Sequence, residues 1–390
     1  MHKDICVLTG DYDPSKHKFR SIRRMEHPDH LPVGVLMKGK KADLAALNHW
    51  LIWRGIPSYR VGLETLLERF EIDDEKELLE AECALSVSDN YWLRREKETH
   101  TYEELNFFDR SFDPDGFGKA SFRKEPYNPP EEAKHTPNNT LCGYHRKTWI
   151  RKGNRLLLYK GSTGYHQQEC INEWFVSQIA ERLGIFHVPY DTEIYENQLV
   201  SVCVNFLDKH TDLVTAGSAI ASLGSGTEET FENLIAACQA HGMQDFRHDM
   251  DGMLVLDYLV MNSDRHSQNH GILTDADTGE WIQTAPVFDT GTALGCFVKT
   301  SELADLENHR TCKFLAQRHI FHDVLLDYVD NLAAFDLSAL DGTEQLLISK
   351  MVHYRDMTGI SDERITEIAS LYLRRVQRLK AIQAGMMRMI

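Results

Sequence analysis

Long apolar runs are missing from this sequence. None approaches eighteen residues, and the stretch around Gly252–Met261 is interrupted by Asp257. The N-terminal MHKDICVLTGDYDPSKHKFR also lacks the apolar core and small-residue cleavage site of a secretion signal. Neither secretion nor membrane insertion is expected. Positive charge is in deficit, with 43 Lys and Arg against 59 Asp and Glu and a formal net charge of −16. Broad nucleic-acid binding relies on a positive surface that displaces counterions, so direct binding of that kind is not expected. The eight cysteines (6, 83, 142, 170, 203, 238, 296 and 312) form no Cys-x-x-Cys pair, which in 390 residues points to reduced thiols in a cytoplasmic protein. No Gly-x-Ser-x-Gly elbow is present, and no Gly-x-Gly-x-x-Gly opens a helix. Hydrolase and dinucleotide-binding readings therefore have no support.

What is present suffices for a sizeable core: 42% hydrophobic and 26% charged residues, with no repeat and no low-complexity tract. The sharpest change in composition is Phe112–Thr140, where Asp113-Pro114-Asp115-Gly116, Tyr127-Asn128-Pro129-Pro130 and Thr136-Pro137-Asn138-Asn139 follow one another. Such punctuation predicts a linker over 112–139. An accessory unit over 1–111 precedes it, with helices expected at Ala42–Arg54 and Val61–Phe70. Trp50 and Trp53 are expected in its core, and the unit contains no recognisable chemistry.

After the linker, Thr148–Arg151 and Arg155–Tyr159 flank Lys152-Gly153-Asn154, the pattern of a β-hairpin. Ile171, Phe175, Ile179 and Leu183 mark one face of a helix over Glu169–Leu183, stopped by Gly184. Leu199–Phe206 reads as a strand. From Glu228 onward helices are expected at Glu228–Ala240, Met250–Met261, Phe314–Leu332 and Asp362–Met387. Arg374, Arg375, Arg378 and Lys380 on the last of these predict a solvated face, with an acidic partner as the sharper alternative. The plan is α+β and bilobal, protein-kinase-like: a small β-rich N-lobe over 140–208, a larger mainly helical C-lobe over 209–390, and the extra N-terminal unit.

The chemistry concentrates in Asn262-Ser263-Asp264-Arg265-His266-Ser267-Gln268-Asn269-His270-Gly271, followed by Ala285-Pro286-Val287-Phe288-Asp289-Thr290-Gly291. Phosphoryl transfer from ATP needs positioning and cations against phosphate oxygens more than covalent assistance. One aspartate must face the acceptor hydroxyl, while an asparagine and a second aspartate hold metal. Asp264 and Asn269 reproduce the Asp-x₄-Asn spacing of a kinase catalytic loop, and Asp289 sits where a metal-binding Asp-Phe-Gly type turn would lie. Lys160 ends an apolar strand and a glutamate of the next helix can pair with it; Glu173 is favoured, with Glu169 the alternative. Thr140 to Lys147, with Gly143 between, offers a hydroxyl, a glycine and basic groups to close over phosphates. His266 and His270 could suggest zinc, but no acid or cysteine at ligand spacing supports it. Cys142-x-x-His145 has no second half.

These residues resemble HipA-like serine/threonine kinases, the toxin components of bacterial toxin–antitoxin modules, themselves distantly similar to phosphoinositide kinases. The resemblance is carried by Asp257 through His266, Asn269-His270-Gly271, Ala285 through Asp289, Lys160-Gly161 and Asn172-Glu173. It implies Asp264 as catalytic aspartate, Asn269 and Asp289 as Mg²⁺ ligands, and Lys160 on the phosphates of ATP. It also implies a phosphate loop over Thr140–Lys147 whose hydroxyl residue is a target of autophosphorylation, a protein acceptor with a Ser or Thr hydroxyl, and an antitoxin protein as partner. The N-terminal unit does not resemble the family's usual N-terminal domain. Asp-Arg-His together with Gln-Asn mixes lipid-kinase and HipA features. A lipid or small-molecule kinase, or a non-catalytic nucleotide- or partner-binding module, is the alternative.

Overall fold

The computed structural model describes residues 1–56, 67–68, 74–112, 121–122, 135–141, 143, 145–316 and 318–387. The helix expected over Val61–Phe70 lies outside these residues except at 67–68, as does most of the Phe112–Thr140 linker.

The chain folds as a mixed α+β protein of small sheets and many helices. It opens with an antiparallel hairpin, β1 (Leu8–Asp13) and β2 (Lys18–Met25), and continues through helices α1 (Leu44–Ile52) and α2 (Glu75–Ala81). Asp43 and Asp74 cap the two helices, Asp43 accepting from Ala45 N and Ala46 N and Asp74 from Lys76 N. Trp50 is half-buried under Arg54 and packs against the core of this unit, whereas Trp53 is exposed, contrary to the core placement expected for it.

The next sheet is antiparallel, in spatial order β3 (Lys147–Lys152), β4 (Arg155–Gly161), β6 (Gln198–Val204), β5 (Tyr190–Tyr195). The β3–β4 register, Lys152 opposite Arg155, leaves Gly153-Asn154 as a two-residue connection, and Gly153 takes the positive φ (+61°) such a turn requires. Between β4 and β5 runs α3 (Gln168–Arg182). Ile171, Phe175 and Ile179 are fully buried along it. Gly184 at φ +67° ends the helix, with Ile185 N donating to Ala180 O at 3.0 Å and Gly184 N to Glu181 O at 3.2 Å.

The remainder is built on α5 (Phe246–Val260), which follows β7 (Thr211–Thr215) and α4 (Phe231–Ala240). Leu254 through Leu256 and Tyr258 through Val260 are wholly buried, so this helix is the axis of the largest core. The region is less helical than its sequence predicts. β8 (Asp264–His266), β9 (Gly271–Asp275) and β10 (Trp281–Thr284) follow α5, with β9 between β7 and β10.

The helix expected over Phe314–Leu332 is replaced by β11 (Thr311–Leu315), β12 (Arg318–Phe321) and a 3-10 turn, His322–Tyr328. Cys312 and Phe314 point inward while Thr311 and Lys313 are half-exposed, an alternation that serves a strand. Helices α6 (Thr343–His353) and α7 (Asp362–Gln383) close the fold. The basic cluster of α7 is paired within the chain rather than simply solvated. Arg374 pairs with Glu307, Arg375 and Arg378 with Asp323, and Lys380 with Asp341. No helix among the described residues is long and apolar enough to cross a membrane, and every described cysteine is a free thiol.

Candidate active site

The site is organised around a carboxylate in the middle of an apolar helix. Asp257 is 0% exposed on α5, and Arg265, 1% exposed, answers it with two bonds: Nε to Oδ2 at 2.7 Å and Nη2 to Oδ1 at 2.9 Å. The third guanidinium nitrogen donates to the backbone oxygens of Asn269 and, at 2.8 Å, of Phe288. One buried side chain thereby fastens the Asp264–Asn269 loop to the residue preceding Asp289. Within the loop, Asn269 Nδ2 donates to Asp264 O at 2.9 Å, and Asn262 Nδ2 donates back to Asp257 Oδ1 at 2.8 Å. Arg265 carries no role legible from its sequence position alone, although an aspartate interrupting an apolar helix is a signal that a buried cation must be near.

The second part is an ion cluster. Lys160 on β4 is 5% exposed; its Nζ lies 2.6 Å from Glu173 Oε1 and donates also to Asp289 Oδ1. Glu173 in turn accepts from Ser201 Oγ on β6. Burial alone would push the Lys160 ammonium down, but the Asp289 and Glu173 charges outweigh it and hold the group above its ordinary range. Burial also raises Glu173, a rise that the Lys160 charge only partly offsets. At Asp289 burial is overcome by Lys160, Lys147 and His145, so its carboxyl stays well below the usual range. Asp289 takes a left-handed φ of +54°, and its N–H donates to Tyr190 OH at 3.3 Å.

Glu169, the alternative partner for Lys160, is occupied elsewhere, accepting from Thr163 N at 2.9 Å and Gly164 N at 2.6 Å. Helix α3 is held in place by Asn172, whose Nδ2 donates to Gly291 O at 2.8 Å and Ala293 O at 2.7 Å. Gln168 donates to Leu294 O at 3.0 Å and accepts from the buried Arg364 of α7 at 2.8 Å.

Lys147 begins β3 beside Gly143. A Cβ on that glycine would fall 2.5 Å from Lys147 Nζ, and its φ of +106° favours glycine independently. Burial, followed by the Lys160 charge, pushes the His145 ring between them down to about 3. Thr140 is turned inward. It is 7% exposed at the end of the 3-10 turn Pro137–Thr140, with its hydroxyl donating to Pro137 O at 3.4 Å. Glu82 of the N-terminal unit holds that turn, accepting from Asn139 Nδ2 at 2.6 Å and Thr136 N at 3.3 Å. His266 and His270 lie on a strand and the turn after it, and His270 is buried with its Nδ1 donating to His266 O at 3.3 Å. No group of three or more His, Cys, Asp or Glu among the described residues is placed to hold a metal. Cys142 lies outside the described residues.

A family model, the HipA-like C-terminal domain, matches residues 124–327. No curated protein matches the sequence. Among solved structures, a chain of the Shewanella oneidensis MR-1 toxin–antitoxin complex of HipA, HipB and operator DNA aligns over 98% of this chain and 98% of its own, at 13% identity and a TM-score of 0.57. That likeness of fold spans the N-terminal unit, which the sequence had set apart. The Helicobacter pylori proinflammatory kinase CtkA aligns over 62% of this chain and 94% of its own, at 19% identity and a TM-score of 0.48. With more than half of its length matched by the family model, this chain belongs to the HipA-like kinase family.

Proposed function

We propose that the protein transfers the γ-phosphoryl group of ATP, with Mg²⁺, to a Ser or Thr hydroxyl of a protein. The observation that carries this reading is the Lys160 ammonium set between Glu173 and Asp289, in a frame that Arg265 ties to the Asp264–Asn269 loop. A strand lysine paired with a glutamate of the following helix is how kinases order nucleotide phosphates. The bilobal division follows from this reading: an accessory unit over 1–111, a linker over 112–139, an N-lobe over 140–208 and a C-lobe over 209–390, with the nucleotide in the cleft between the lobes.

In the proposed roles, Lys160 binds ATP phosphates and Glu173 orients it. Lys147, Gly143 and Thr140 belong to the loop that closes over the nucleotide. Asn269 and Asp289 are the protein's Mg²⁺ ligands, and their donors fit the ion. Asp289 is kept ionised by its neighbours, and a carboxylate plus an amide oxygen suits a hard cation that keeps waters and phosphate oxygens as its other ligands. Mg²⁺ would neutralise charge on the phosphate oxygens. Asp264 accepts the acceptor hydroxyl's proton, and its Oδ1 is a buried oxygen with no hydrogen-bond partner, able to take one. An antitoxin protein is the proposed partner, by analogy with the HipA–HipB assembly, and the cytoplasm the proposed compartment.

The test is transfer of label from γ-labelled ATP to protein, with Mg²⁺ or with chelator, by wild type and Asp264→Asn. Label that requires both Mg²⁺ and Asp264 supports the reading. Nucleotide binding without transfer or hydrolysis would leave a non-catalytic binding module.

A further inference from the structure

The strand carrying Asp264 brings beside it a residue without a role in the proposed chemistry. β8 pairs in parallel with β11, placing Asp264 opposite Lys313, and Lys313 N donates to Ser263 O at 2.9 Å. Cys312 and Phe314 on either side of Lys313 are buried, so its side chain emerges on the opposite face, the one Asp264 occupies. Lys313 Nζ stands 3.7 Å from Asp264 Oδ1, on a side chain 42% exposed. That is beyond hydrogen-bond distance, and Oδ1 is bonded to nothing else. A part-exposed ion pair so spaced adds little to stability. The ammonium is thus fixed beside the carboxylate by two hydrogen-bonded strands without satisfying it.

We propose that Lys313 is a further catalytic cation, touching the transferred phosphoryl oxygens on the acceptor side. The proposal rests on the kinase reading above. In the step, the acceptor oxygen bonds to the γ-phosphorus while the bond from that phosphorus to the bridging oxygen breaks, its electron pair leaving on ADP. The hydroxyl proton passes to Asp264. The three transferred oxygens carry negative charge throughout, and a cation already in place stabilises them without reorganising. Lys160 is committed elsewhere, since its side chain is 6% exposed and its Nζ is held between Glu173 and Asp289.

The experiment uses the full chain and measures binding of Mg·ADP, then of Mg·ADP with beryllium fluoride as γ-phosphoryl mimic, alongside Mg·ATP turnover. Lys313→Met should keep ADP affinity within about threefold. It should lose about tenfold or more of the affinity that the fluoride adds, with a fall of similar size in kcat/KM for ATP. Lys313→Arg should recover part of both, which a merely structural lysine would not predict. If wild type gains affinity from the fluoride and Lys313→Met gains as much, the Lys313 assignment is overturned and the kinase reading stands. A wild type that binds neither ADP nor ATP overturns both.

Discussion

Arg265 spends its guanidinium on three separate segments: Asp257 in the core helix, Asn269 at the end of the Asp264–Asn269 loop, and Phe288 just before Asp289. The two groups proposed to hold Mg²⁺ are therefore positioned by one buried cation, whose own charge is balanced from beneath.

Breaking that balance should cost both stability and function. Asp257→Asn leaves a buried guanidinium uncompensated, and removing one partner of such a pair costs about 3–5 kcal/mol. Arg265→Lys keeps the charge but loses the fork that reaches both backbone oxygens. Urea titration of both variants against wild type measures this, and an unchanged midpoint for Asp257→Asn would show the pair to be dispensable.

Asp264 and Asp289 should separate chemistry from binding. Asp264→Asn is expected to bind Mg·ATP within several-fold of wild type while losing about 10²–10⁴-fold in transfer. Asp289→Asn should lose Mg²⁺-dependent ATP binding itself. Calorimetric titration together with a turnover assay distinguishes the two, and equal loss of binding in both would make Asp264 a metal ligand or a structural residue.

Acid should weaken the fold partly through His322. Its Nε2 donates to Asn262 O at 3.1 Å, and burial, reinforced by the Arg375 charge, pushes the ring down to about 4. The unfolded ring titrates near 6.5, so below that pH the unfolded state binds more protons. The stability is present in full above about pH 6.5 and lost as pH falls toward 4, amounting to about 2 kcal/mol by pH 5. His322→Gln keeps the donor and removes the titration. Its stability should decline less than wild type between pH 7 and 5, and parallel curves would refute the assignment.

Thr140 is expected to be modified only when its turn opens. Its hydroxyl faces Pro137 O in a turn anchored by Glu82, and a phosphate of about −1.5 to −2 charge could not be returned to that buried position. We expect autophosphorylated protein to lose ATP binding, and Glu82→Gln, which loosens the anchor, to incorporate phosphate faster. Intact-mass spectrometry after incubation with Mg·ATP measures both. No phosphate on the Thr140 peptide, in a preparation active on other substrates, would dispose of the idea.

Legibility in the sequence followed the range of the forces involved. Helix α3 and the β3–β4 hairpin were readable because their determinants are local: a four-residue apolar spacing with Gly184 behind it, and a glycine at a two-residue turn. Lys160, Glu173 and Asp289, which the structure brings together, could be singled out because the chemistry expected of them restricts residue type, whereas Arg265 could not. β8 and β11 were not, because each is short and made by pairing across a gap of nearly fifty positions, where Lys313 N meets Ser263 O. Phe314–Leu332 contains enough apolar residues to suit a helix, and pairing of β11 with β8 and with β12 decides otherwise. The β1–β2 hairpin escaped notice because its charged residues outnumber its buried ones; Asp13 and Ile22 alone are fully covered.

The contact between Lys160 and Asp289 changes how a nucleotide would be admitted. An open pocket of unpaired lysines draws a polyanion from a distance, and dissolved salt blunts that attraction. Here the ammonium is already neutralised by two carboxylates of its own chain. On the proposed reading an arriving phosphate would trade places with an internal anion, so capture would depend on close-range exchange more than on the ionic strength outside.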